Sequence, residues 1–223
     1  MSLEYEVRMP EGSRDGASVI VLLHGRGSDR FDLLGLGRGL PAGAIIVTPQ
    51  APFPGAPWGY GPGWAWYRYL GDDRPEPESF EESQKLLEAF LIGLPDELGV
   101  RPGHLVLAGF SQGGTMSLAQ GLRRPGAIPS VINFSGFLAN HPSVVVTPET
   151  VRGTRIFWGH GVDDPAIPFA FATAGRARLS EAGADLTAED FPIAHSISPE
   201  ELQAARRWIE EGAGTVASEG SPS

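Results

Sequence analysis

Ser111 stands in the segment Gly109-Phe110-Ser111-Gln112-Gly113-Gly114, directly after the apolar run Leu105 to Ala108 and before small residues that can open a helix. A serine on a tight strand-to-helix turn projects its hydroxyl above the sheet, and glycines two residues to either side remove side chains that would collide there. The amide of Gln112 then lies at the opening of the helix, where unpaired N–H groups and the helix dipole favour a developing oxyanion. The G-x-S-x-G pattern alone occurs by chance in many chains. Its position between a strand and a helix is what points to an activated nucleophile.

Serine is a weak nucleophile until a base takes its proton, and the base in turn needs an orienting acid. Five histidines compete for the role of base. His104 precedes the strand that leads to Ser111 and so sits at its wrong end, whereas position alone does not exclude His141. His24 and His160 each begin a His-Gly pair after an apolar run, where an imidazole more usually bonds nearby backbone. His195, in Phe191-Pro192-Ile193-Ala194-His195-Ser196, follows the last strand and precedes the last helix, and it is the expected base. The acid is expected between Ser111 and His195, in the order serine, acid, histidine. The segment His160 to Pro168 supplies Asp163 and Asp164, either of which could instead cap the next helix. A second oxyanion donor is expected from His24-Gly25-Arg26-Gly27, whose glycines let backbone amides turn inward. That stretch also reads as a plain glycine turn, but it lacks the spacing and the lysine of a phosphate loop.

These residues need strands and helices to hold them. Leu3 to Arg8 reads as an edge strand and Pro10 to Gly16 as a turn. Ser18 to Leu23 is a continuous apolar run, as in a strand buried on both faces. Phe31 to Leu40 fits a short helix, Ala44 to Thr48 a second buried strand, and the glycine- and aromatic-rich Trp58 to Leu70 a loop that lines something. From Pro77 to Leu98 apolar residues recur at helical spacing, with an end or bend expected near Pro95. Val131 to Phe134, Arg155 to Trp158 and Asp185 to Phe191 read as strands and Phe169 to Gly183 as a helix closed by glycine. Ser198 to Glu210 reads as a helix with Ser198 as N-cap, Pro199 at its first position and Glu201 three residues after the cap. The small, polar tail Gly212 to Ser223 is expected to be disordered. Strands alternating with helices imply an α/β fold, with a mostly parallel sheet covered on both faces and ligands bound beyond the strands' carboxyl ends. One domain over residues 1–211 accounts for the pattern.

Composition narrows the chemistry. The chain of 223 residues has 41% hydrophobic and 20% charged residues, which suits a folded core rather than disorder. Its 27 acidic against 17 basic residues give a net charge of −10, which disfavours nucleic acid or an anionic membrane as the main partner. With no cysteine, thiolate catalysis and cysteine-bound zinc are excluded. The N-terminal residues lack the basic and apolar regions of a signal peptide, and no run approaches membrane-spanning length. The default expectation is a cytoplasmic enzyme without stable membrane insertion.

Together the residues quoted resemble those of the phospholipase/carboxylesterase family of α/β-hydrolases, which includes bacterial carboxylesterases and acyl-protein thioesterases. The resemblance runs from Ser18 to about Glu210. It rests on Leu23-His24-Gly25-Arg26-Gly27, Thr48-Pro49-Gln50-Ala51-Pro52 with Trp66-Tyr67 after it, Gly109 to Gly114, His160-Gly161 leading to Asp164 and Ile167-Pro168, and His195. It implies an α/β-hydrolase fold without a large cap domain and a serine esterase without a cofactor or metal, acting on short to medium acyl esters through an acyl-enzyme. The implied catalytic residues are Ser111, Asp164 and His195, with the amides of Arg26 and Gln112 as the oxyanion hole. Trp66 and Tyr67 would lie at the acyl pocket. Arg26 departs from the family's pattern, in which many relatives carry an apolar residue. Thioesterase or lysophospholipase action shares every one of these residues, and a non-catalytic ligand-binding protein of the same fold is the reading from another class. The expected partner is a small acyl ester or thioester, with a homodimer left open.

Overall fold

Side chains of a strand alternate between the faces of its sheet, so an unbroken apolar run is stable only where other elements cover both sides. The computed structural model describes residues 3–11 and 14–219. In chain order the strands are β1 (Tyr5–Arg8), β2 (Ser18–Leu23), β3 (Ile45–Pro49), the short pair β4 (Phe53–Pro54) and β5 (Trp64–Ala65), β6 (His104–Phe110), β7 (Ser130–Phe134), β8 (Arg155–Gly161) and β9 (Asp185–Phe191). The helices are α1 (Pro77–Leu98), α2 (Gln112–Arg123), α3 (Phe169–Glu181) and α4 (Pro199–Glu219). Seven strands form one sheet in the order β1-β3-β2-β6-β7-β8-β9, while β4 pairs with β5 in a separate ribbon. Only the β1 edge strand is antiparallel to its neighbour; the other six are parallel.

The alternation sorts the core into two layers. Val19, Val21 and Leu23 of β2 join Leu107, Val131 and Ile156 against Phe90 of α1, Met116 of α2 and Ala172 of α3. Ile20 and Leu22 point the other way, with Ala108, Ile132 and Phe157, against Ala205 and Trp208 of α4 and Leu33 and Leu40. Each fully buried aliphatic side chain contributes about 1.5–3 kcal/mol relative to exposure, which makes this two-sided sheet the rigid frame of the molecule. The chain leaves β2 for β3 on one side and returns through β6 on the other, so the strand order reverses between β2 and β6. Such a reversal splays apart the loops at the carboxyl ends of the two strands and opens a crevice there. The loops concerned are 24–27 and the turn at Ser111.

Several elements differ from their sequence-based bounds. Phe31 to Leu40 forms a 3₁₀ helix over Asp32–Gly39 in place of an α-helix. Two of its three glycines serve close packing, because a Cβ on Gly37 would come within 2.8 Å of the Ile46 side chain and one on Gly39 within 2.4 Å of Leu202. Helix α1 continues through Pro95 and stops at Gly99, which takes the left-handed conformation common after helix ends. Strand β8 runs on to Gly161, past Trp158. Helix α4 continues to Glu219, beyond Glu210 and into the stretch expected to be disordered. Gly212 lies inside it, and a Cβ there would meet the Arg155 guanidinium at 1.7 Å, so that glycine marks a close approach and not a helix end. Residues 220–223, and 12–13 of the turn expected at Pro10 to Gly16, lie outside the described residues.

The expected α4 cap forms: Glu201 N–H donates to Ser198 Oγ at 3.1 Å. The Glu201 carboxyl is fully buried against Gly159, where any Cβ would approach its Oε1 to 2.1 Å. Burial raises its pKa to about 8, so it is a neutral acid under most conditions.

Candidate active site

The turn between β6 and α2 is strained. Ser111 has φ 56° and ψ −116°, a conformation that L-residues rarely adopt. The bond from Ser111 N–H to Phe134 O (2.8 Å) and that from Thr115 N–H to Ser111 O (3.1 Å) hold it there. The flanking glycines are required sterically. A Cβ on Gly109 would sit 2.2 Å from the Gly113 carbonyl carbon, one on Gly113 2.0 Å from Leu23 O, and one on Gly114 2.3 Å from Asn133 Oδ1. Helix α2 therefore lies directly against β6 and the end of β2, with the Ser111 hydroxyl raised above the sheet.

His195 and Asp164 reach that hydroxyl from two loops locked to each other. Val162 N–H donates to Phe191 O (2.9 Å) and Asp163 N–H to Ile193 O (3.2 Å), and Gly161 has no side chain because Ile193 O would lie 2.3 Å from its Cβ. On this base His195 Nε2 lies 2.9 Å from Ser111 Oγ, and His195 Nδ1 lies 2.7 Å from Asp164 Oδ2. A carboxylate only accepts, so Nδ1 carries the proton and Nε2 is free to accept from the serine. The ring of Phe110 stacks on the imidazole at 4.7 Å between centroids and limits its rotation. Asp164 is buried, and its other oxygen accepts from Ala166 N–H (2.8 Å) and Ile167 N–H (2.9 Å). The neighbouring Asp163 is exposed.

The other histidines have structural bonds. His24 is buried with its Nε2 accepting from Ala51 N–H at 3.0 Å and its Nδ1 donating to Gly25 O at 2.7 Å, and burial lowers its pKa, in keeping with a neutral ring. His160 donates from Nε2 to Ile167 O at 3.0 Å. His104 bonds Ser130 Oγ at the amino end of the sheet, and His141 bonds Ser143 and packs on Phe80. Sequence position could not exclude His141; these contacts place it away from Ser111.

Gln112 opens α2, so its N–H has no acceptor within the helix. On the facing loop Gly27 N–H donates to Trp64 O (2.8 Å) and Ser28 N–H to Gly25 O (3.4 Å), which pins the loop without engaging the Arg26 amide. The Gln112 side chain has a task that the sequence did not disclose. Its Oε1 accepts from Trp66 N–H (3.1 Å) and its Nε2 donates to Tyr67 O (2.8 Å), which clamps the aromatic loop to the turn at Ser111.

A cavity of about 210 Å³ opens beside Ser111, bounded by Tyr67, Tyr69, Phe137 and Ile167, with Arg26, Gln112 and His195 at its polar end. Trp66 does not border it. That indole is fully buried and donates to His24 O at 2.9 Å, so it supports the loop from behind. Trp66→Ala is accordingly expected to cost roughly 3–5 kcal/mol of stability, the range for buried aromatic truncation, while leaving the ranking of acyl lengths unchanged. Melting temperature measured beside rates on a series of esters checks this; a shifted ranking at unchanged stability would contradict it. Among the described residues no cluster of three or more His, Asp and Glu is placed to hold a metal, and no helix is long and apolar enough to cross a membrane.

A seven-stranded, mostly parallel sheet with helices on both faces and a serine on a strained turn after its central strand β6 is the α/β-hydrolase fold. Within that fold the chain belongs to the phospholipase/carboxylesterase family, whose model matches residues 6–212. It is similar to a probable carboxylesterase SOBER1-like of Arabidopsis thaliana, 35% identical over 115 residues that cover 51% of this chain and 44% of that protein. The matched stretch thus spans less than half the length of that relative. An acyl-protein thioesterase 1 of Cryptococcus neoformans is 26% identical over 220 residues, covering 87% of this chain and 92% of the relative. Among solved structures, that of esterase PE8 superposes with a TM-score of 0.80 at 28% identity, over 95% of this chain and 99% of the other.

Proposed function

We propose that the protein is a serine carboxylesterase that hydrolyses short to medium acyl esters through a covalent acyl-enzyme. The observation that carries this reading is the continuous bonded line from Ser111 Oγ through His195 to the buried Asp164. Ser111 Oγ attacks the acyl carbonyl carbon as its proton passes to His195 Nε2, and the carbonyl oxygen becomes an oxyanion facing the Arg26 and Gln112 amides. The tetrahedral intermediate collapses, the bond to the leaving oxygen breaks, and that oxygen takes the proton from His195. Water then attacks the acyl-serine with its proton drawn to the same nitrogen, which returns it to Ser111 as the acid departs. Asp164 stays ionised throughout and stabilises the imidazolium. A cavity of about 210 Å³ lies below the range usual for drug-sized ligands and supports short to medium chains. A thioester follows the same steps with sulfur leaving, and the family's acyl-protein thioesterases support that second reading.

A fluorophosphonate probe is expected to label the purified protein, and a panel of esters and thioesters of graded chain length to show turnover that peaks at short to medium esters. Absence of both labelling and turnover would leave a binding protein of this fold. The histidines provide an independent check. His195→Ala should reduce turnover by several orders of magnitude, while His141→Ala should stay within about tenfold of wild type. The opposite pattern in folded variants would refute the assignment of the base.

A further inference from the structure

Arg26 contributes a side chain as well as an amide to the cavity, and that side chain has no partner that consumes its charge. The guanidinium carbon lies 4.7 Å from the centroid of Tyr60 and 5.9 Å from that of Tyr69. Both rings are fixed, because Tyr60 Oη accepts from Tyr69 N–H at 2.8 Å and the Tyr69 hydroxyl donates to Asp72 O. Stacking engages the face of a guanidinium and leaves the N–H groups on its edge free to donate. Arg30, Arg68, Arg123, Arg155 and Arg176 each meet a carboxylate within 4 Å, whereas Arg26 meets none among the described residues. The result is an exposed arginine resting over two tyrosine rings at the border of the cavity beside Ser111, with no ion pair among the described residues to consume its charge.

The direction of its field agrees. Burial raises the pKa of the Tyr67 and Tyr69 hydroxyls, and the Asp72 and Asp73 charges add to the rise at Tyr69; the Arg26 charge works against it at both, so its positive potential reaches the aromatic wall of the cavity. Asp32, an acidic residue, also borders the cavity and is felt at His24 as well. The wall formed by Tyr67, Tyr69, Phe137 and Ile167 is largely apolar, and Arg26 is the cation among the residues that border the cavity.

We propose that the Arg26 side chain is an anion subsite and that the preferred acyl groups end in a carboxylate, so that the substrates are monoesters of short dicarboxylic acids. This rests on the reading of Ser111 as the nucleophile and sharpens it to a substrate class. The chemistry is unchanged: the ester carbonyl meets Ser111, the remote carboxylate meets the edge of Arg26, and the products are an alcohol and a dicarboxylate.

The test compares monoethyl adipate with ethyl hexanoate, which match in chain length and differ in the terminal charge, in the wild-type protein and in Arg26→Met and Arg26→Lys. A charge-assisted bond at a partly exposed site predicts that the wild type prefers the adipate by about tenfold in kcat/KM, mostly through KM. Arg26→Met should abolish that ratio, Arg26→Lys should keep part of it, and rising salt should shrink it in the wild type. Because the quantity is a ratio within each variant, any common loss through the Arg26 amide cancels. If ethyl hexanoate is cleaved but the ratio is the same with and without the arginine, the subsite is refuted and the esterase reading stands. If the wild type cleaves neither ester and resists the fluorophosphonate probe, the esterase reading falls and takes this inference with it. A third pair, para-carboxyphenyl hexanoate against phenyl hexanoate, moves the charge to the leaving group. An Arg26-dependent preference seen on that pair alone would also overturn the assignment.

Discussion

Ser111→Ala is expected to abolish ester hydrolysis, with turnover lower by roughly a millionfold, the loss seen when the nucleophile of a comparable triad is removed. The fold should survive. The side chain's hydrogen bond is to His195, while the bonds that shape the turn, to Phe134 O and from Thr115 N–H, belong to the backbone and remain. Alanine inherits the positive φ and its strain unchanged. Glycine relieves it, since a residue held in such a region costs of order 1–3 kcal/mol, so Ser111→Gly should be as inactive as Ser111→Ala yet more stable. Turnover on the best ester of the panel, with thermal melting of both variants, tests the pair. Activity of Ser111→Ala within about tenfold of wild type would remove the nucleophile from Ser111.

The sheet and the turn at Ser111 were legible because their signals are local. The runs Ser18 to Leu23 and Leu105 to Ala108 are apolar on both strand faces, and both lie at the centre of the sheet. The glycines around Ser111 announce a turn whose backbone clashes are fixed by neighbours a few residues away and by the end of β2. What was not legible depends on contacts between distant parts of the chain. Phe31 to Leu40 fits a short helix in sequence, yet it winds as a 3₁₀ helix in which two of three glycines record where Ile46 and Leu202 press in. Gly212 looks like the end of a helix and marks the approach of Arg155. Trp66 and Tyr67 are adjacent and both fully buried, so nothing in their sequence says that Tyr67 borders the cavity and Trp66 supports the loop behind it. The side chain of Gln112 was hidden for a similar reason: its backbone amide explains its place in the motif, while its partners lie 45 and 46 residues earlier in the chain.

Asp164→Asn is expected to lower turnover by roughly ten-thousandfold with little loss of stability, whereas Asp163→Asn should change turnover by less than about tenfold. The division of labour within the Asp164 carboxylate makes this pair decisive. Its Oδ1 accepts two backbone N–H groups, from Ala166 and Ile167, which is how an aspartate caps a turn; its Oδ2 takes the proton side of His195. The turn-capping bonds and the bond to His195, which sequence alone leaves as alternatives, therefore coexist in one side chain. In asparagine the carbonyl oxygen can keep both turn bonds, so the loop and its link to Ile193 persist. The amide nitrogen then replaces Oδ2, and a donor faces His195 Nδ1. The imidazole must move its proton to Nε2, where it confronts the Ser111 hydroxyl and can no longer accept from it; the same exchange in serine proteases costs about ten-thousandfold for this reason. Asp164→Ala removes both roles and should add a stability loss of about 1 kcal/mol to the kinetic one. Asp163 is exposed and joins the site through its backbone N–H alone, to Ile193 O, which asparagine leaves intact. Rates at neutral pH for all three variants, with melting measured alongside, decide between the two carboxylates. Greater damage from Asp163→Asn than from Asp164→Asn would show that the acid facing His195 in the working enzyme is not Asp164.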